Sequence, residues 1–280
     1  MQTSAAIDEK GRLFTWGRAS YVEDEDFESP VHPSGLGHEL GAVIGDQLTP
    51  RRVDALSQDR VVGVALGYGF TLAVTDAGAV FSCGYCIYGG LGHGSLESEV
   101  LPRRIDALAQ TRRRFVAVAA GSGHALALTE GGEVYGWGDN DANGHGREEH
   151  TPQRVDALIG ERIKLVAAGI GASCAVSEKG DLFTWGSGYQ GSLGRGPFTV
   201  SGKPFMQQPK RVEGLGRARG VAAVAIGEVH TIAADEDGVV WAFGRPMALG
   251  LGASGPSVHT APVLTPTPIP ALRVRVIKSP

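Results

Sequence analysis

The chain is expected to fold as an all-β propeller of four-stranded antiparallel blades, and three observations predict it. A seven-residue phrase bounded by glycines recurs five times. Further landmarks recur around it in a fixed order. The segments between them are short, alternate in polarity, and carry β-branched or aromatic residues between Gly and Pro punctuation, which is the pattern of strands.

The phrase reads Gly11-Arg-Leu-Phe-Thr-Trp-Gly17, Gly78-Ala-Val-Phe-Ser-Cys-Gly84, Gly132-Glu-Val-Tyr-Gly-Trp-Gly138, Gly180-Asp-Leu-Phe-Thr-Trp-Gly186 and Gly238-Val-Val-Trp-Ala-Phe-Gly244. A period near fifty residues marks a solenoid or a propeller. The large residues Trp16, Trp137, Trp185 and Phe243, with Cys83 in their place once, suit the space between adjacent sheets.

Taken in order, each repeat opens on Pro-x-x-Val/Ile-x-Ala/Gly-Leu: Pro50–Leu56, Pro102–Leu108, Pro152–Leu158, Pro209–Leu215 and Pro266–Leu272. An apolar strand then ends at Gly67, Gly121, Gly169 or Gly227. A third segment starts three residues later at Phe70, His124, Ala172 or His230, with Thr3-Ser-Ala-Ala-Ile as its fifth copy. It keeps one small residue in register, Ala6, Ala73, Ala127, Ala175 and Ala233, as a crowded position requires. The glycine phrase follows, then a glycine-rich loop such as Gly89-Gly-Leu-Gly-His-Gly94.

The chain begins inside one repeat and ends in Arg273-Val-Arg-Val-Ile-Lys-Ser-Pro280, which reads as the start of an inner strand. Both termini are therefore expected to share one blade, leaving no edge unpaired. Residues 1–280 are read as a single propeller domain.

Composition narrows the function. Glycine makes up 42 of 280 residues and proline 15, which demands many tight turns. A mild net charge of −4 offers no case for nucleic acid or an anionic membrane as a partner. No run approaches the eighteen apolar residues of a spanning helix. Three cysteines and an N-terminus without a basic-then-apolar leader point first to the cytoplasm, with nuclear, ciliary and organellar settings left open.

The ordered landmarks resemble the regulator-of-chromosome-condensation repeat over essentially the whole chain. The resemblance implies a propeller that recognises proteins through its faces and loops. It also raises nucleotide exchange on a small GTPase, and scaffolding within ubiquitin ligases, cilia or organelles. The family's usual ring has seven blades, whereas five phrases spaced 67, 54, 48 and 58 residues apart leave no room for hidden ones, so a closed five-bladed ring is expected, with part of a larger ring as the alternative.

No enzymatic constellation is expected, and no cofactor or metal. Gly186-Ser-Gly-Tyr-Gln-Gly191 and Gly250-Leu-Gly-Ala-Ser-Gly255 match a dinucleotide fingerprint in form, but no helix follows to meet a pyrophosphate. Cys83 and Cys86 lack the second pair of a zinc site, Cys174 falling at a core position. The loop histidines His38, His93 and His145 read as rim residues, and His124 and His230 as groups bonded to sheet backbone.

Two surfaces remain as candidate partner sites. Arg51, Arg52, Arg103, Arg104, Arg154 and Arg211, with Lys210 and the Arg112–Arg114 run, form a basic band that fits an acidic partner. Asp54, Asp106, Asp156 and Glu213 follow at a spacing that would neutralise it, because in an extended strand they share a side with the second basic residue. The acidic stretch containing Tyr21, Glu23, Asp24, Glu25, Asp26 and Phe27 combines steering charge with aromatic anchors. The expected function is a non-enzymatic interaction scaffold, with exchange on a small GTPase and a structural role in a large assembly as alternatives.

Overall fold

In the computed structural model the described residues are 3–18, 20–22, 31–33, 35–38, 46–139, 141–196, 205–215, 220–251 and 262–275. Four sheets each have four antiparallel strands in chain order. They are β6 (Val61–Leu66) to β9 (Glu99–Arg104) through β7 (Phe70–Thr75) and β8 (Val80–Gly84); and β10 (Phe115–Ala120) to β13 (Glu149–Arg154) through β11 (His124–Thr129) and β12 (Val134–Gly138). The next is β14 (Ile163–Ala168), β15 (Ala172–Ser177), β16 (Leu182–Ser187) and β17 (Phe205–Arg211). The last is β18 (Val221–Ile226), β19 (His230–Asp235), β20 (Val239–Gly244) and β21 (Val263–Arg273).

The first sheet holds β1 (Thr3–Ile7), β2 (Leu13–Gly17) and β5 (Gln47–Arg52), and a separate hairpin joins β3 (Ser20–Val22) to β4 (Val31–Pro33). Each glycine phrase is the third strand of its blade, or the corresponding strand of the three-stranded first one. The all-β propeller architecture read from the sequence is thus the observed one.

The phrase works because both its glycines have a physical task. The first ends the turn from the second strand, at φ between +75° and +85° in all five copies, a conformation that only glycine adopts cheaply. A side-chain oxygen of Asp8, Thr75, Thr129, Ser177 or Asp235 accepts the amide N–H four residues on and fixes that turn. The closing glycine meets the turn of its own blade: a Cβ on Gly84 would lie 2.1 Å from Gly69 O, and on Gly138 2.2 Å from Gly123 O.

The second strand of each blade packs against the inner strand of the next, β1 on β6, β7 on β10, β11 on β14 and β15 on β18. The core lies between sheets. Trp137 and Trp185 are fully buried there, as are Phe70, Phe115 and Phe243. Val274 N donates to Gly238 O at 3.0 Å, as Val61 does to Gly11, Ile163 to Gly132 and Val221 to Gly180. The chain therefore leaves β21 in the register that opens an inner strand. The expected closure of the termini into one blade falls mainly on residues 276–280, which lie outside the described residues.

Two expectations need correction. The acidic residues of the first landmark are not on the strand: it ends at Arg52, and Asp54 opens a 3-10 turn at Asp54–Leu56. The same landmark forms a second 3-10 turn at Asp156–Leu158 and a short helix α1 at Asp106–Gln110, because buried Val53, Ile105 and Val155 pivot the chain and Leu56, Leu108 and Leu158 anchor it in the core. Cys86 lies in the loop after β8 and is buried there, as Cys83 and Cys174 are in their strands. His124 does not bond sheet backbone; its Nε2 lies 2.8 Å from Ser173 Oγ in the next blade.

Candidate protein-interaction face

Neighbouring blades are joined by a recurrent latch. The second-strand residue and its cross-strand partner in the phrase form the pairs Thr71–Cys83, Ala125–Trp137, Ser173–Trp185 and Thr231–Phe243. Each pair faces one carbonyl of the preceding blade's glycine loop. Thr71 Oγ1 donates to Gly35 O (2.6 Å), Trp137 Nε1 to Gly90 O (2.8 Å), and Thr231 Oγ1 to Ser192 O (2.7 Å). Ser173 Oγ and Trp185 Nε1 both donate to Ala142 O at 2.8 Å. The loop histidines hold the same loops from within: Nε2 of His38 lies 2.9 Å from Thr15 Oγ1, and that of His93 2.9 Å from Ser82 Oγ. Burial pushes the pKa of both imidazoles down. These histidines are structural braces spread over successive blades. Among the described residues no three His, Cys, Asp or Glu side chains gather as a metal site.

The latches fix the blade ends in one frame. At one end the turns Gly67-Tyr68-Gly69, Gly121-Ser122-Gly123 and Gly169-Ile170-Gly171 follow each other around the inner strands. Tyr68 N donates to Gly121 O and Ser122 N to Ile170 O, each at 3.1 Å. A Cβ on Gly169 would lie 2.3 Å from Gly227 O, so the fifth blade joins the row without room for a side chain.

The residue after each phrase ties the loop to the same turns: Tyr85 N to Gly69 O (2.7 Å), Asp139 N to Gly123 O (2.9 Å), Ser187 N to Gly171 O (2.8 Å) and Arg245 N to Val229 O (2.9 Å). This end of the propeller thus presents Tyr68, Tyr88, Ile170, Tyr189 and Met247, all large and exposed, with Tyr88 50%, Tyr189 59% and Met247 65% accessible. Tyr88 lies over the Gly123 turn of the next blade, where only a glycine leaves space for the ring. Tyr88 (φ +49°) and Gln190 (φ +58°) occupy equivalent loop positions in a backbone region that costs non-glycine residues energy. Exposed Glu228 and Arg245, with partly buried Asp139 and Asp141, add charge of both signs.

The sequence-derived basic band lies elsewhere, on the outer strands. Arg52, Arg104, Arg154 and Arg211 stand opposite the ring residues Phe14, Phe81, Tyr135 and Phe183. Most of the band is ion-paired. Arg103 meets Glu99 (2.6 Å), Arg154 meets Asp156 (3.3 Å), Arg211 meets Asp181 (2.7 Å) and Arg52 approaches Asp54 (3.9 Å). Arg113 and Arg114 of the downstream run meet Glu133 (3.1 Å) and Glu130 (3.3 Å). Among the described residues Arg51, Arg104 and Lys210 form no ion pair, and Arg51 lines a cleft of about 360 Å³ with His38, Asp54 and Leu101. Such exposed pairs contribute at most about 1 kcal/mol each. Of the acidic stretch, Tyr21 lies in β3, whereas Glu23, Asp24, Glu25, Asp26 and Phe27 lie outside the described residues.

Comparison with known proteins settles the family. The regulator of chromosome condensation (RCC1) repeat model matches residues 77–128, 131–176 and 179–234, more than half of the chain, and a second model of that repeat matches 115–145. The chain belongs to the RCC1 repeat family. It is 34% identical over 281 residues to the human E3 ubiquitin-protein ligase HERC2, a match covering 98% of this chain and 5% of that protein. It is 34% identical over 138 residues to the Arabidopsis thaliana ultraviolet-B receptor UVR8, covering 49% of this chain and 27% of that one. This RCC1-repeat chain therefore spans only a small part of these curated relatives. Among solved structures it is similar to Saccharomyces cerevisiae Prp20p, with a TM-score of 0.78 at 21% identity over 99% of this chain and 65% of that one.

Proposed function

We propose that this chain is a non-enzymatic propeller that holds other proteins on the face carrying Tyr68, Tyr88, Ile170, Tyr189 and Met247. The observation that carries the reading is the gathering of five large exposed side chains from three blades at one end of a latched scaffold. Tyr and Met are enriched at protein interfaces, and a rigid frame lowers the entropy cost of binding. The flanking Glu228, Arg245, Asp139 and Asp141 supply a polar rim.

Relatives support a recognition role in coarse terms. The structure of Prp20p was reported together with its binding to Gsp1p and histones. HERC2 is a ubiquitin ligase, but this chain matches one-twentieth of its length, so the ligase chemistry is not expected to reside in this segment. Exchange on a small GTPase draws on the family alone.

The test is a partner-recovery series. Tyr68→Ala with Tyr88→Asn and Tyr189→Ala should weaken partner binding at least ~tenfold while leaving the melting temperature unchanged, because all three are exposed; Asn tolerates the positive φ of Tyr88. Unchanged recovery with the triple variant, together with loss on deleting residues 21–32, would move the site to the acidic stretch.

A further inference from the structure

A recess in the middle of the tyrosine-bearing face begins with a difference in loop length. Leu91 follows Gly84 by seven residues and Leu193 follows Gly186 by seven, whereas the equivalent Asn143 follows Gly138 by five. The loop of the third blade is therefore shorter than the loops of the second and fourth blades beside it. The turn residue of the third blade is small as well, with Ser122 standing where its neighbours carry Tyr68 and Ile170.

Printed contacts place the short loop between aromatic residues. A Cβ on Gly123 would lie 2.7 Å from Tyr88 Cδ2, and Asp139 N donates to Gly123 O at 2.9 Å, so Tyr88 leans over the start of the loop. At the other end a Cβ on Gly186 would lie 3.2 Å from Ala142 Cβ, and Tyr189 N donates to Oγ of the next residue, Ser187, at 3.4 Å. On the inner side Ser122 Oγ donates to Ile170 O. Asp139 and Asp141, both half-buried, thus lie between Tyr88 and Tyr189. Asp141 N donates to Asp139 Oδ1 at 3.3 Å, which keeps the two acids together. No Lys, Arg or His occurs in the segments that build this part of the face, 67–69, 85–92, 121–123, 139–144, 169–171 and 187–194.

We infer that this recess receives an arginine side chain of the protein held on this face, an assignment that rests on the recognition role proposed above. A guanidinium suits it in three ways. Its plane stacks on a tyrosine ring, its N–H fork pairs with a carboxylate, and it is more weakly hydrated than an ammonium. Among the described residues no third His, Cys, Asp or Glu side chain joins Asp139 and Asp141 into a metal cage. The large side chains on either side keep water from the contact, the setting in which an arginine contributes most to binding.

Phage-displayed random dodecapeptides, panned on the full 280-residue chain, supply the probe. The enriched peptides should carry arginine next to apolar residues. In such a peptide, arginine to glutamine should weaken binding at least ~tenfold, and arginine to lysine by less. Asp141→Asn is isosteric and half-buried at the surface. It should cost the same factor with the parent peptide and almost nothing with the glutamine peptide, because both changes remove one contact. Loss of binding with Tyr88→Asn and Tyr189→Ala, but not with Asp141→Asn or the glutamine peptide, would overturn the arginine assignment and leave the face in place. Peptides that ignore all three chain substitutions would overturn both readings. A panning that enriches no arginine peptide also overturns the assignment.

Discussion

Trp185→Ala should lower the unfolding free energy by about 3–5 kcal/mol, the usual cost of removing a fully buried Trp. The side chain is 0% accessible and sits in the cluster formed by Leu126, Leu128, Val155, Leu158 and Ile163. Its indole N–H also shares Ala142 O with Ser173. The cavity would open between the third and fourth blades, where no neighbouring strand can close it without breaking the latch. Equilibrium denaturation checks the size of the loss. Hydrogen exchange checks its place, with the first loss of protection expected in β14 and β15.

Acid should destabilise the fold through His124. This imidazole is fully buried, and burial pushes its pKa down to about 4 from an ordinary 6.5. Ser173 Oγ donates to Ala142 O, so His124 Nε2 carries the proton that it donates to Ser173. Nδ1 is then a bare nitrogen with no partner among the described residues, backed by the Gly121 backbone. Protonation there would bury a charge and a donor without an acceptor.

The unfolded chain takes up the proton near pH 6.5 and the folded chain only near 4. Between these values the unfolded state binds more protons, so stability falls as pH falls, by up to about 3 kcal/mol in all. His124→Gln keeps an amide donor for Ser173 and has nothing to titrate. The difference between its pH–stability curve and that of wild type should show this slope between pH 6.5 and 4. Parallel curves would contradict the assignment.

The scaffold was legible because its determinants are local. Turn glycines at Gly11, Gly78, Gly132, Gly180 and Gly238 are needed whatever the rest of the chain does, and the Trp position marks the space between sheets. The proposed interaction face was not, because Tyr68, Ser122, Ile170 and Glu228 occupy equivalent turns with unlike side chains. The recurring part of that motif is the glycine before each. The one available signal was a large apolar residue between two turn glycines, as in Gly67-Tyr68-Gly69 and Gly169-Ile170-Gly171. Neutralisation of the basic band was half visible. Asp54 and Asp156 do meet Arg52 and Arg154, but from the turn beyond the strand, while Glu99 and Asp181, which the landmark spacing did not point to, reach Arg103 and Arg211. The His124–Ser173 bond spans 49 residues and required the blade order to be known.

Recognition through the tyrosine-bearing end is tested most directly by hydrogen–deuterium exchange of the chain alone and in complex with its recovered partner. The account predicts protection concentrated in residues 67–69, 85–90, 169–171, 187–190 and 245–249, with the outer strands at Arg51–Arg52, Arg103–Arg104 and Lys210–Arg211 unchanged. Protection of those outer strands, with the turns left as they are in the free chain, would contradict it.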